Sequence, residues 1–241
     1  MKNLARYFPL LLIFVLVSCG KEKDPESIDE LFFDPAGTGE KAYSVYSNVE
    51  AAQKSVLVKE DFNDNAMKWF TGQKSTTGEK YDFQIVQGKY IIDYNKAGYY
   101  TTTFNDFDVT AFSEDFEIET SIWIQSIYQS NAEVKNFAGL VWNRNESSSR
   151  YFMSTYDKKV LIGASESSQT TPWKNWENSP LLLGTYNKLT LRKVGGYFYF
   201  FINEKFLYKR DVESVSYPGV GFRVSDCKVY IDYLYFSRLR L

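Results

Sequence analysis

The feature that most constrains this chain is a strict alternation over residues 116–125. Phe116, Ile118, Thr120, Ile122 and Ile124 fall on one side, and Glu117, Glu119, Ser121, Trp123 and Gln125 on the other. Successive side chains of a β-strand point to opposite faces, so a period of two marks a strand with one face on a core. Shorter runs of the same kind recur from Ser55 onward, over residues 88–94, 99–104, 137–143, 151–156, 160–164, 188–194, 197–203, 220–224 and 228–236. Gly195-Gly196 separates two of these runs as a hairpin turn, because glycine reaches positive φ at little cost. Asn203-Glu204-Lys205 is a second, weaker turn. No amphipathic pattern extends beyond two helical turns. About a dozen short strands with no helices between them predict two stacked antiparallel sheets. The aromatic content of 18%, with 19 Tyr and 19 Phe, suits rings packing across neighbouring strands.

The N-terminus has a different logic. Lys2 and Arg6 precede an apolar run over residues 8–17, and Ser18-Cys19-Gly20 closes it. That order reads as a secretory signal, and the run falls short of the ~20 apolar residues of a membrane span. Leu16-Val17-Ser18-Cys19 resembles the bacterial lipobox, which implies cleavage before Cys19 and diacylation of its thiol. Each buried acyl CH₂ contributes ~0.8 kcal/mol, so two or more chains hold a protein firmly. The expected organisation is a lipoprotein signal peptide at 1–18, a lipidated N-terminus and linker at 19–55, and one β-sandwich at 56–241. The expected location is a bacterial membrane, the outer one in particular, with the domain in the periplasm or at the surface.

Composition removes several functions. The formal net charge is −2 and no basic cluster stands out, so nucleic acid is not the expected partner. There is no histidine. Ser-His-Asp and Cys-His catalysis, histidine zinc sites and histidine general bases are thereby excluded. With Cys19 lipidated, Cys227 has no intrachain partner and reads as a small buried residue.

The order of segments resembles a known family. Glu60-Asp61-Phe62-Asn63-Asp64 comes first, with Trp69 soon after. The strand at 116–125 is followed by Phe137-Ala138-Gly139-Leu140-Val141-Trp142 and Arg150-Tyr151-Phe152. Tyr186-Asn187-Lys188-Leu189-Thr190-Leu191 and Phe200-Phe201-Ile202-Asn203 come next. Gly219-Val220-Gly221-Phe222-Arg223-Val224 and Val229-Tyr230-Ile231-Asp232-Tyr233-Leu234 close the series. Taken together they resemble the concanavalin A-like lectin and glucanase superfamily, in particular its laminin-G-like and 3-keto-disaccharide-hydrolase-like domains. The resemblance implies an all-β, two-sheet antiparallel jelly-roll sandwich. It leaves function open among lectins, glucanases and adhesion domains.

Candidate chemistry follows from single residues. Glu117 and Glu119 share a strand face, the spacing that retaining glycosidases use. Family-16-type glucanases carry a third acid on such a strand, and here that position is Ser121. Arg144 and Arg192 are candidates to donate to ligand hydroxyls or to pair with the glutamates, and two solvated glutamates are the further alternative. Trp123 shares the polar face and suits stacking against a sugar ring. Trp173 and Trp176 lie in what reads as a loop, either as exposed binding rings or as lids on the core edge. The family often carries calcium where first and last strands meet, which makes Asp61, with Asn63 and Asp64, and Asp232 candidate oxygen ligands. Turn capping accounts for the same run. Three functions remain: a carbohydrate-binding module holding a polysaccharide or glycan, a carboxylate-based hydrolase or lyase, and an adhesion domain contacting protein. The anchor has a direct check. Cys19→Ser is expected to abolish fatty-acid labelling and release the chain from the membrane fraction; a variant that still labels contradicts the lipobox assignment.

Overall fold

The computed structural model describes residues 45–76, 79–96, 98–128, 136–167 and 169–240. The signal segment and Cys19 lie outside the described residues. Among the described residues, fifteen strands form with two short 3-10 turns and no α-helix. The larger sheet runs β13 (Lys205–Asp211), β12 (Tyr197–Ile202), β11 (Asn187–Val194), β6 (Phe116–Ile127), β15 (Cys227–Leu239), β4 (Lys89–Asn95), β3 (Glu79–Val86) and β2 (Gly72–Thr76). Its ninth strand, β1 (Lys54–Glu60), pairs with the second half of β15. The smaller sheet runs β10 (Gln169–Asn178), β9 (Lys159–Glu166), β8 (Ser148–Thr155), β7 (Phe137–Arg144), β14 (Gly219–Ser225) and β5 (Thr101–Asp106). Every pairing is antiparallel, and the two sheets stack as the expected jelly-roll sandwich.

The alternation on β6 becomes the boundary of the core. Phe116, Ile118, Thr120 and Ile122 are buried between the sheets. They meet Leu140, Trp142, Phe152 and Phe222 from the smaller sheet in one cluster. A large side chain of this kind contributes about 1.5–3 kcal/mol when fully buried. One end of the core is aromatic: Phe62 stacks on Tyr90 at 5.4 Å, and Trp69 lies 5.6 Å from Phe222. The buried Glu60 carboxylate holds that corner, accepting from the Phe62 backbone N–H at 2.7 Å and from Trp69 Nε1 at 2.9 Å. Phe62 sits at φ 52, strained for a side chain of its size, and the Glu60 bond fixes it there. The Glu60–Trp69 part of the recognised segment order is therefore structural.

Both expected hairpins form. Gly195, at φ 54, turns β11 into β12. Asn203 and Glu204, at φ 50 and 69, turn β12 into β13. Asn203 holds this second turn with three bonds: Lys188 N to its Oδ1, and its Nδ2 to the Leu181 carbonyl and Asn187 Oδ1.

Residues 45–53 fall in the stretch read as a linker, but they lie on the outer face of the larger sheet. Val45 and Val49 are buried there with Tyr199 and Phe201. Arg192 fastens them, donating from Nη1 to the Val45 carbonyl at 2.5 Å and the Ser47 carbonyl at 2.8 Å. Its Nε and Nη2 meet Glu117 Oε2 at 2.9 and 2.7 Å, and Lys54 takes Glu117 Oε1. Burial alone would raise the Glu117 carboxyl, but Arg192 and Lys54 outweigh it and hold it below the ordinary 4.5. A carboxyl lowered by folding contributes its full stability above the unfolded-chain value and loses it as pH falls through the folded one. Glu117→Gln leaves two cations without their anion and is expected to cost about 3–5 kcal/mol in a neutral-pH denaturant titration. The deficit relative to the parent should narrow as pH drops below the ordinary carboxylate value. A deficit that stays constant through that range contradicts the assignment.

Candidate functional site

Pairing register places the outer side chains of the larger sheet in rows. The Glu117 row pairs it with Arg192 and Ser237, and is sealed by residues 45–53. The next holds Thr190, Glu119 and Tyr235. The third holds Lys188, Ser121 and Tyr233. The fourth brings Tyr186, Trp123 and Tyr230 together, with Ile91 of β4 beyond. The Trp123 ring lies 5.6 Å from Tyr186 and 5.5 Å from Tyr230. All three rings are half-buried, each keeping part of its face in solvent.

Polar groups flank this aromatic row. Lys89 Nζ sits 5.3 Å over the Tyr186 ring and pairs with Asp232. Two rows away Glu119 accepts from Tyr233 at 2.9 Å and pairs with Lys188 at 2.7 Å. Burial, and then neighbouring Glu119, push the Tyr233 phenol far above its ordinary 10, so it remains a donor. Burial also raises Tyr186. At the end of the row a cavity of about 230 Å³ opens, lined by Trp123, Thr155, Tyr156, Lys158, Gly184 and Asn187. The side chains around it come from both sheets and from the loop before β11. Flat rings beside fixed donors and acceptors can stack a pyranose and bond its hydroxyls.

The expected site residues divide. Trp123 and Glu119 are at this surface. Glu117 and Arg192 are corrected: both are buried and bonded to each other beneath residues 45–53, so neither reaches a ligand. Glycosidic cleavage needs one carboxyl kept protonated and a second within about 5–10 Å. Glu117 is held ionised and covered, and Glu119 is occupied by Tyr233 and Lys188, so the pair supplies no such acid.

Trp173 and Trp176 are corrected as well. The expected loop is strand β10 of the smaller sheet, and with register shifts on both sides of Lys174 the two rings end on opposite faces. Trp173 turns to the core edge, 6.2 Å from Trp142 with the Arg210 guanidinium 4.4 Å above it. Trp176 turns outward against Phe137 at 5.8 Å. Neither lines the cavity at Trp123.

The calcium expectation does not fit the geometry. Asp61 accepts from Tyr235 and pairs with Lys59 at 3.2 Å. The Tyr235 bond, followed by Lys59 against a small effect of burial, holds the Asp61 carboxyl below its ordinary value. Asp232 is paired with Lys89, and Asp64 caps its own turn by accepting from Ala66 N at 2.8 Å. Among the described residues no group of three acidic, cysteine or histidine side chains is placed to hold a metal ion.

Sequence reasoning missed Tyr186, Tyr230, Tyr233, Lys89 and Lys188. Tyr230 and Tyr233 differ in parity along β15, so alternation alone assigns them to opposite faces. A register shift between Ile231 and Tyr233 puts both outside.

No protein-family model and no curated protein sequence matches the chain. Solved structures match it by shape. A galectin-like protein of unknown function from Bacillus subtilis aligns with a TM-score of 0.54 at 9% identity, covering 78% of this chain and 98% of its own. The CBM2 module of the evolved Dit protein of Lactobacillus casei BL23 phage J-1 gives 0.53 at 12%, covering 78% and 97%. A mixed-linkage-glucan GH16 of Bacteroides ovatus, solved with a G4G4G3G product, gives 0.50 at 12%, covering 75% and 99%. The fold is thus the two-sheet jelly-roll sandwich that the galectin-like and GH16 structures also have.

The one cysteine within the described residues offers no nucleophile. Cys227 is wholly buried, its thiol against the Phe137 carbonyl at 3.5 Å, and burial pushes its pKa above the ordinary 9.0. In a Cys19→Ser background the native chain is expected to show no thiol reactive to a disulfide reagent, and one after denaturation. A fast native reaction contradicts this placement.

Proposed function

We propose that this chain is a carbohydrate-binding lipoprotein. Lipid on Cys19 anchors it to a bacterial membrane, the outer one by preference, and the sandwich holds a glycan without cleaving it. The observation that carries the reading is the row Tyr186, Trp123 and Tyr230 beside the cavity at the β8–β9 turn. Sugar rings present apolar C–H faces to aromatic surfaces and hydroxyls to polar groups around them. Here Lys89, Asp232, Glu119 and Lys188 supply those groups, and their charges are paired. Balanced charge suits an uncharged sugar. The fold supports the reading, since a CBM2 module and a GH16 solved with a glucan product share it. A chain held by lipid at one end and carrying a binding face would keep polysaccharide near the membrane surface.

A glycan array probed with the full chain identifies the ligand class. Against the best neutral oligosaccharide, Trp123→Ala is expected to weaken binding by about 1–3 kcal/mol, the scale of one well-covered aromatic contact. Unchanged affinity in that variant overturns the site. Cleavage of the glycan, abolished by Glu119→Gln, overturns the non-catalytic assignment and establishes a hydrolase.

A further inference from the structure

The opposite face of the sandwich carries a second, differently charged arrangement. Arg223 projects from β14 on the outer side of the smaller sheet and is 6% exposed. Its Nη2 reaches Ser149 Oγ on β8 at 2.8 Å, so the side chain lies across the intervening strand β7, where Gly139 stands opposite it. Nε meets Thr102 Oγ1 at 3.3 Å. The guanidinium carbon sits 4.3 Å from the Tyr100 ring and 5.4 Å from the Tyr151 ring. A second guanidinium, Arg144, lies over Phe104 at 5.4 Å, with Nη1 on the Ser148 carbonyl.

No carboxylate among the described residues pairs with either arginine. That is unusual for a buried cation, since removing a charge from water is costly unless it is paired. Burial lowers the pKa of Arg223, and Arg144 pushes the same way. Arg144 Nε and the buried Tyr151 hydroxyl have no hydrogen-bond partner among the described residues. Tyr151 lies flat over Gly163, where a Cβ would come within 2.6 Å of its oxygen. Beside them Val141, Met153, Phe137 and Leu161 make an apolar floor. The chain as a whole is acidic, so this pair of arginines is a local feature; Glu146 acts on Arg144 from a distance without pairing with it, and no carboxylate acts in this way on Arg223.

We propose that this face is a second binding site, for the oxyanion of an acidic sugar unit: a carboxylate or a sulfate received between Arg223 and Arg144, with the sugar ring against the exposed Tyr100 ring. A planar guanidinium fork matches both oxyanions with paired N–H donors, and only two of Arg223's five donors are spent within the protein. The site is independent of the Trp123 face, which lies on the other sheet.

The test titrates the full chain with tetragalacturonate, a heparin-derived sulfated tetrasaccharide and neutral cellotetraose. Binding of at least one acidic probe is expected, tenfold or more tighter than cellotetraose and weakened by salt. The uronate and sulfate arms distinguish the two sources of the oxyanion. Arg144→Gln, at a half-buried position, is expected to lower the acidic affinity at least tenfold, and Trp123→Ala to leave it unchanged. Arg223→Met is expected to abolish acidic binding while keeping or raising the thermal midpoint of the ligand-free protein, because it removes an unpaired buried charge. A structural role for Arg223 would lower that midpoint. No preference for acidic over neutral probes, acidic affinity unchanged in both arginine variants, or a lowered midpoint in Arg223→Met overturns the proposal.

Discussion

The pairing of β6 with β15 decides where every other side chain of the larger sheet can point. Phe116, Ile118, Ile122, Val229, Ile231, Leu234 and Phe236 all enter the core from these two strands. A slip of one residue would carry Glu117, Glu119 and Trp123 into the packed interior and bring the isoleucines out to water. Burying unpaired carboxylates there is prohibitive, so the register is held by both faces at once. The aromatic row is a consequence of this pairing. A bulge at Asp232 reverses the parity of β15: odd-numbered residues face inward before it and even-numbered ones after. Tyr230, Tyr233 and Tyr235 therefore share the outer face, and Asp232 turns out to meet Lys89. Bulges re-aim side chains in this way near functional surfaces.

The two sheets treat buried arginine in opposite ways. Arg192 is bound to Glu117 and to two backbone carbonyls, and it fastens residues 45–53 to the sheet. Its charge is fully answered within the chain, so it serves the fold. Arg223 is as deeply buried and meets only two hydroxyls and two rings. Its charge is unanswered, which leaves it available to a ligand. The sandwich thus has one face with balanced charge and stacked aromatics, and another with unpaired guanidinium groups over an apolar floor.

Much of the fold is legible in the sequence because it follows from local rules. The period of two over residues 116–125 identifies the central strand, and Gly195-Gly196 marks a hairpin. The site was legible only at Trp123 and Glu119. Glu117 and Arg192 looked available because what covers them, residues 45–53, lies far away in the chain and reads as a polar tether. Trp173 and Trp176 have the sequence pattern of a loop pair. Register shifts around Lys174 break the strand pattern there, which hides the fact that the two rings diverge. Asp61 and Asp232 have the chemistry of calcium ligands, and only their three-dimensional neighbours, Lys59, Tyr235 and Lys89, show that their charge is already met. Arg223 carries no local signal at all, since a missing counter-charge is a property of the whole neighbourhood.

The most direct measurement of where glycan binds is an indole-resolved nuclear magnetic resonance titration. The chain has five tryptophans, each giving one ¹⁵N–¹H indole signal. Trp69 and Trp142 are buried and serve as internal references, while Trp173 and Trp176 belong to the smaller sheet. Titration with a bound neutral oligosaccharide is expected to shift the Trp123 signal and leave those of Trp69, Trp142, Trp173 and Trp176 in place. Saturable binding that moves Trp176 and leaves Trp123 unmoved would contradict the account, because it would put the neutral glycan on the other face of the sandwich.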